Sequence, residues 1–165
     1  MTTAFVALGS NIEPEAHLRQ AARLLRERFA NAHFSSGYRS AAFGFSGADF
    51  VNAVVGLETT LSIEALLDTL HGIERQCGRG PDDPRWGPRA IDLDLLLYGR
   101  HVGQGRGYTL PRPDLSKRAY MLGPLAELVP HLIYPPDGPS VAELWRALPC
   151  PPGALVRIEL DLEQA

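Results

Sequence analysis

The sequence predicts an α+β fold on a β-α-β-β-α-β core, the ferredoxin-like split βαβ order, with additions at the C-terminus. Three observations carry the prediction. Short apolar runs closed by Gly, Ser and Asn alternate with stretches whose apolar residues recur every three to four positions. Two strand-like runs, not one, separate the first two helical stretches. The chain has 165 residues, 45% hydrophobic and 21% charged, enough for one well-buried core and short of two. A single domain over residues 1–165 is therefore expected.

The elements follow in order. "TAFVALGS" is a buried strand ended by the turn at Gly9-Ser10-Asn11. Pro14 suits a helix start, and Leu18, Ala21, Ala22, Leu25 and Phe29 then keep helical spacing. "AHFSSGYRSAAF" leans weakly towards strand. After the turn-rich "GFSGAD" comes "FVNAVVGLETT", a clearer strand rich in β-branched residues. Ser62 can cap a second helix, Glu64 suits its first turn, and Ile63, Leu66, Leu67, Leu70 and Ile73 form its apolar stripe. "GRGPDDPRWGP" cannot continue that helix and is a loop. A strand from Ile91 to Tyr98 comes next, then "GRHVGQGRG", read as a flexible turn. "SKRAYMLGPLAELVP" predicts a third helix, interrupted or kinked at Gly123-Pro124. Beyond a Pro-rich link, "VAELWRAL" predicts a short helix and "ALVRIELDLE" a last strand, which either extends the sheet or mediates self-association.

Composition narrows the partners. A net charge of −3 argues against a whole-surface attraction to nucleic acid or to an anionic membrane. Lys117 is the only lysine among 16 basic residues, so phosphate binding must rest on guanidinium forks and backbone N–H groups. Cys77 and Cys150 stand far apart, with neither a disulfide framework nor thiolate-zinc spacing. No run approaches the ~20 apolar residues of a membrane span, and the start lacks the features of a signal peptide. A cytoplasmic location and a monomer are the expectations.

The unusual stretch is "RWGPRAIDLDLLLYG", Arg85 to Gly99. On a strand, Asp92 and Asp94 share one face, with Ile91, Leu93, Leu95 and Leu97 assigned to the other. Two carboxylates so placed either form a solvated face or jointly hold a hard cation, and magnesium suits such a partial cage. The acids of "ELDLE" near the end show how readily the solvated face arises. What separates the two strands is the approach. Arg79, Arg85 and Arg89 cluster in a loop whose Gly and Pro prevent regular structure. Arg89 either shares a polyphosphate with the metal or pairs with Asp92; Trp86 either plugs the core or walls a pocket. Forks, flexible loop and paired carboxylates together fit phosphoryl transfer. No G-x-x-x-x-G-K-[ST] occurs, "GFSGA" lacks the second glycine of a nucleophile elbow, and no RNP-like aromatic strand appears.

These residues closely resemble one family, the 6-hydroxymethyl-7,8-dihydropterin pyrophosphokinases of the folate pathway. The resemblance runs from "ALGSN" through "FVNAVV", "IERQCGR" and "RWGPRAIDLDLLLYG" to "LPRPDLSKRAYMLGPL". It implies transfer of the β,γ-diphosphate of ATP, the co-substrate, to the hydroxymethyl group of a reduced pterin, with release of AMP. It implies that Asp92 and Asp94 hold two magnesium ions bridging the triphosphate, and that Arg79 and Arg89 complete the catalytic set. Phe50 and Tyr120 are implied to sandwich the pterin, Asn52 to read its amide-like edge, Ser40 and Phe43 to add contacts, and Trp86 to close the pocket. His71, Glu74, Arg79, Arg89, Thr109, Arg112 and Arg118 are implied to surround ATP.

On residues alone, Phe50 and Tyr120 serve equally as core aromatics, and Asn52 as a turn or bulge residue. Glu74 can simply contact His71, Arg118 can stabilise a helix entry, and Thr109 can be an ordinary strand hydroxyl. The chain departs from the family pattern at Arg112, where His is usual, at Ser40-Ala41 and at Pro81. Two rival readings are a non-catalytic nucleotide or metal sensor on the same fold and an unrelated nucleotidyltransferase that releases pyrophosphate.

Overall fold

The computed structural model describes residues 1–78 and 90–163. Its framework is an antiparallel sheet whose strands come from distant parts of the chain. The strands are β1 (Thr2–Ser10), β2 (His33–Phe34), β3 (Gly37–Ser40), β4 (Phe50–Thr59), β5 (Asp92–Tyr98) and, near the end, β8 (Val156–Ile158). Their order is β5-β1-β4-β3-β8, with β2 also paired to β4. The long central strands β1 and β4 are nearly continuous apolar runs, as expected of strands covered on both faces.

On one face lie α1 (Pro14–Arg28) and α2 (Ile63–Gln76). Leu18, Ala21, Ala22 and Leu25 of α1 and Leu66, Leu70 and Ile73 of α2 are fully buried against Val6, Leu8, Ala53 and Val55. Ser62 caps α2 as its sequence predicts, its hydroxyl accepting from the Ala65 N–H at 3.1 Å. The opposite face carries α3 (Ala119–Leu128) and α4 (Val141–Ala147), which close a second core around Phe5, Val54, Leu97, Met121 and Leu125.

Four expectations are refined. Leu97 does not share a face with Leu93 and Leu95. β1 and β5 pair Phe5 with Leu97 but Val6 with Leu95, so Leu96 is an extra residue and the side-chain alternation reverses beyond it. Leu97 therefore points to the α3 face, the same face as Asp94. The segment after β5 is no simple turn: β6 (Gly103–Gly105) and β7 (Tyr108–Leu110) form a hairpin. Gly123 and Pro124 lie buried inside an unbroken α3. A Cβ on Gly123 would come within 2.7 Å of Leu155 and 3.0 Å of Trp145, so the glycine serves close packing of α4 on α3. Finally, β8 extends the sheet along β3, and the chain beyond it is tied down by Arg26 donating to the Leu162 carbonyl and by the Phe34 N–H donating to Glu163.

Candidate active site

Strand register builds the floor of the site. Gly9 of β1 pairs with Asn52 of β4 on one side and Asp92 of β5 on the other; two residues back, Ala7 pairs with Val54 and Asp94. Because partners directly opposite share a face, Asn52, Gly9 and Asp92 form one row across three strands and Val54, Ala7 and Asp94 the next. Both rows face α3. At the centre of the first row a side chain is missing: a Cβ on Gly9 would lie 3.4 Å from Asn52 Oδ1 and 3.7 Å from the Phe50 ring. Above this floor lies a cleft, partly open to solvent, lined by the carboxylates and by aromatic side chains.

The aromatic region is shaped for a flat, polar-edged ligand. Phe50 stands on the same β4 face as Asn52. Phe45 meets the Phe50 ring edge-on at 6.2 Å between centroids, and Tyr120 and Met121 approach from the first turn of α3. Asn52 is buried, and its Nδ2 donates to the Tyr38 carbonyl at 3.2 Å and to Ser40 Oγ at 2.8 Å. A carbonyl can only accept, so the Tyr38 contact fixes which way the amide is turned. Oδ1 is left on the Gly9 side, an acceptor for a ligand N–H. Phe43 lies exposed at the rim with the Arg118 guanidinium 4.0 Å above its ring.

The carboxylate region is anchored from below and bridged from above. The N–H of Leu93, between the two aspartates, donates to Glu74 Oε2 at 2.8 Å, and Glu74 is itself buried. Arg112, which follows β7, places Nη1 3.4 Å from Asp94 Oδ1 and donates from Nε to Asp114 Oδ1 at 3.1 Å. The Asp94 carboxyl is pushed up to about 7, chiefly by burial, with the Asp92 and Glu74 charges adding to the rise and Arg112 opposing it. The pair thus concentrates negative charge that a cation would relieve. Its hard oxygen donors on one strand face suit magnesium, which keeps waters and takes further ligands from phosphate. Among the described residues no three His, Cys, Asp or Glu side chains converge, so the pair fits an ion shared with a ligand rather than an all-protein cage.

Of the residues singled out from sequence, Ser40, Phe43, Phe50, Asn52, Asp92, Asp94, Arg112 and Tyr120 line this one cleft. Glu74 does not line it but holds β5 from beneath. His71 is exposed on α2, Thr109 is exposed on β7 opposite Gln104, and Arg118 reaches the rim through Phe43. Arg118 Nε is the single buried side-chain polar atom without a partner among the described residues. Arg79, Arg85, Trp86 and Arg89 lie outside the described residues. Gly9, Phe45 and Asp114 line the cleft and were not anticipated; for Asp114 the signal was present, an acid two residues from Arg112.

Residues 5–130 match the model of the 7,8-dihydro-6-hydroxymethylpterin-pyrophosphokinase family. A 2-amino-4-hydroxy-6-hydroxymethyldihydropteridine pyrophosphokinase of Haemophilus influenzae is 40% identical over 139 residues, 82% of this chain and 86% of that protein. The Pseudomonas aeruginosa protein of the same name is 40% identical over 149 residues, 88% of this chain and 91% of the relative. Among solved structures, an HPPK-DHPS in complex with substrates superposes with a TM-score of 0.65 over 88% of this chain at 11% identity. A Plasmodium falciparum HPPK-DHPS gives 0.67, also over 88% of this chain and at 11% identity. This chain spans 43% and 45% of those two longer chains, and the likeness to them concerns the fold. The site and the relatives define a diphosphate-transferring enzyme. The chain belongs to the 7,8-dihydro-6-hydroxymethylpterin-pyrophosphokinase family.

Proposed function

We propose that one domain spanning residues 1–165 transfers the β,γ-diphosphate of ATP to 6-hydroxymethyl-7,8-dihydropterin, and we read its framework as ferredoxin-like, a reading the strand order β5-β1-β4-β3 supports. The pterin hydroxyl oxygen bonds to the β-phosphorus, the bond from that phosphorus to the α,β-bridging oxygen breaks, AMP leaves with that oxygen, and the hydroxyl proton is released to solvent. The observation that carries this reading is the continuity of the cleft: a buried amide and aromatic rings lie on the same floor as a carboxylate pair.

Each side chain has a task in that reaction. Phe50 and Tyr120 hold the ring by its faces, and Asn52 Oδ1 accepts from an N–H on its edge, with Ser40 fixing the amide and Phe43 guarding the rim. Asp92 and Asp94 would hold two magnesium ions, which supply charge neutralisation and alignment of the triphosphate when bound. Arg112 and Arg118 bind phosphate oxygens; the unpartnered Arg118 Nε supports that role for Arg118. His71 and Thr109 border ATP, and Glu74 keeps β5 in place. Arg79 and Arg89 stabilise charge on the departing AMP, and Trp86 covers the pterin. Catalysis on this account is mostly alignment and charge neutralisation, since the acceptor is a weakly acidic alcohol and the donor a polyanion. The enzyme is read as a cytoplasmic monomer whose partners are its two small-molecule substrates; no helix among the described residues is long and apolar enough to cross a membrane.

One assay tests the reaction. With ATP, magnesium and the hydroxymethyl-dihydropterin, AMP is expected to form only when the pterin is present. Pyrophosphate release in its place would point to a nucleotidyltransferase, and binding without turnover to a sensor.

A further inference from the structure

Arg112 stands between two acids. Nη1 lies 3.4 Å from Asp94 Oδ1 while Nε is held by Asp114 Oδ1 at 3.1 Å. The three side chains are 35%, 30% and 34% exposed, so the cluster opens to the cleft rather than being sealed in the core. Asp94 Oδ1 already receives a positive charge from the chain itself. A divalent ion held by Asp92 and Asp94 would draw on that same carboxylate. A guanidinium and a metal ion directed at one carboxylate compete for its charge and repel each other.

We propose that Arg112 is a resident competitor for the divalent cation, so that metal alone binds the carboxylate pair weakly until a nucleoside triphosphate offers the guanidinium another acceptor. The inference rests on the reading of Asp92 and Asp94 as the cation's ligands. Asp114 makes the exchange local. It grips Nε, so the terminal nitrogens can leave Asp94 and stay beside the cleft. Phosphate is a good destination, because its oxygens can take two parallel N–H bonds from the planar fork where Asp94 takes one contact. Linkage then works in both directions: the factor by which nucleotide tightens metal binding is the factor by which metal tightens nucleotide binding. Arg112 contributes to that factor because the metal's entry and the arginine's transfer to phosphate each remove an obstacle to the other.

The test is a titration of Mn²⁺ into the full-length, nucleotide-free protein, following loss of the free-ion electron paramagnetic resonance signal. Removing one partly exposed charge pair makes Arg112→Gln bind Mn²⁺ about five-fold more tightly than wild type. A nonhydrolysable ATP analogue raises Mn²⁺ affinity by a smaller factor in Arg112→Gln than in wild type. Asp94→Asn weakens Mn²⁺ binding in both backgrounds. Equal or weaker affinity of Arg112→Gln without nucleotide, or an equal enhancement by the analogue, overturns the inference and leaves the carboxylate reading standing. Mn²⁺ binding indifferent to Asp94→Asn overturns the carboxylate reading and the inference with it. Circular dichroism checks the fold, and Arg112→Met, which also removes the charge, replaces the Gln variant if that one does not fold.

Discussion

Glu74 of α2 accepts the N–H of Leu93 at 2.8 Å, a buried helix carboxylate gripping the strand residue that separates Asp92 from Asp94. The bond ties the most chemically loaded part of the sheet to a helix on its other face, and it satisfies a main-chain donor at a sheet edge where no further strand is paired among the described residues. Glu74→Ala leaves that donor without its acceptor, at a cost of about 1–3 kcal/mol. Glu74→Gln keeps a carbonyl oxygen and loses less. Urea unfolding of the two variants checks the order, and a drop in kcat larger for Ala than for Gln is expected as the aspartates lose their fixed placement.

Asp94 makes stability depend on pH. Its folded carboxyl, raised to about 7 by burial and by Asp92, contrasts with about 3.9 for an unfolded aspartate. Between those values the folded chain binds more protons than the unfolded one, so stability present at low pH is lost as pH rises through that window. In the absence of divalent cations, Tm is expected to fall between pH 5 and pH 8 by more in wild type than in Asp94→Asn. Thermal melts in chelator across that range measure the difference; equal pH slopes refute it.

Asn52 commits both amide hydrogens to the protein and turns its oxygen to the Gly9 side. Truncation to Ala removes the acceptor proposed for the ligand edge and frees the Tyr38 carbonyl. The Michaelis constant for the pterin is expected to rise by roughly ten-fold, the scale of one specific hydrogen bond to a buried group. The constant for ATP should stay within about two-fold. Steady-state kinetics with each substrate varied in turn separates the two; equal rises point to a general loss of structure.

How far these features are legible in the sequence depends on whether they are local. That Asp92 and Asp94 share a face follows from strand alternation alone, and the cap at Ser62 from one residue type before an apolar stripe. Leu97 resists such reading because the bulge at Leu96 is a property of how β5 meets β1, two segments far apart in the chain. The same holds for the row of Asn52, Gly9 and Asp92: each residue is visible, but their alignment is a matter of register. Glu74 lies between these cases. It sits four residues after Leu70 on the apolar stripe, a buried acid in waiting, yet only the placement of β5 reveals its partner. The hairpin of β6 and β7 escapes because its first strand, Gly103–Gly105, offers no β-branched or aromatic residue to mark it.

Gly9 provides the sharpest separation of fold from site. Its neighbours on the floor lie 3.4 Å and 3.7 Å from where a Cβ would stand, ordinary contact distances that the strand tolerates without moving. β-branched side chains favour strands, so Gly9→Val keeps a conformation that β1 already has. The added methyl groups, however, stand up from the floor between Asn52 and Asp92, in the space proposed above for the pterin. Thermal melts are therefore expected to place Gly9→Val within a few degrees of wild type, while calorimetric titration shows pterin affinity reduced by about ten-fold or more, the equivalent of roughly 1.4 kcal/mol. A Val variant that binds pterin as wild type does would remove the ligand from this floor, and one that unfolds would show that Gly9 is needed by the sheet and not by the cleft.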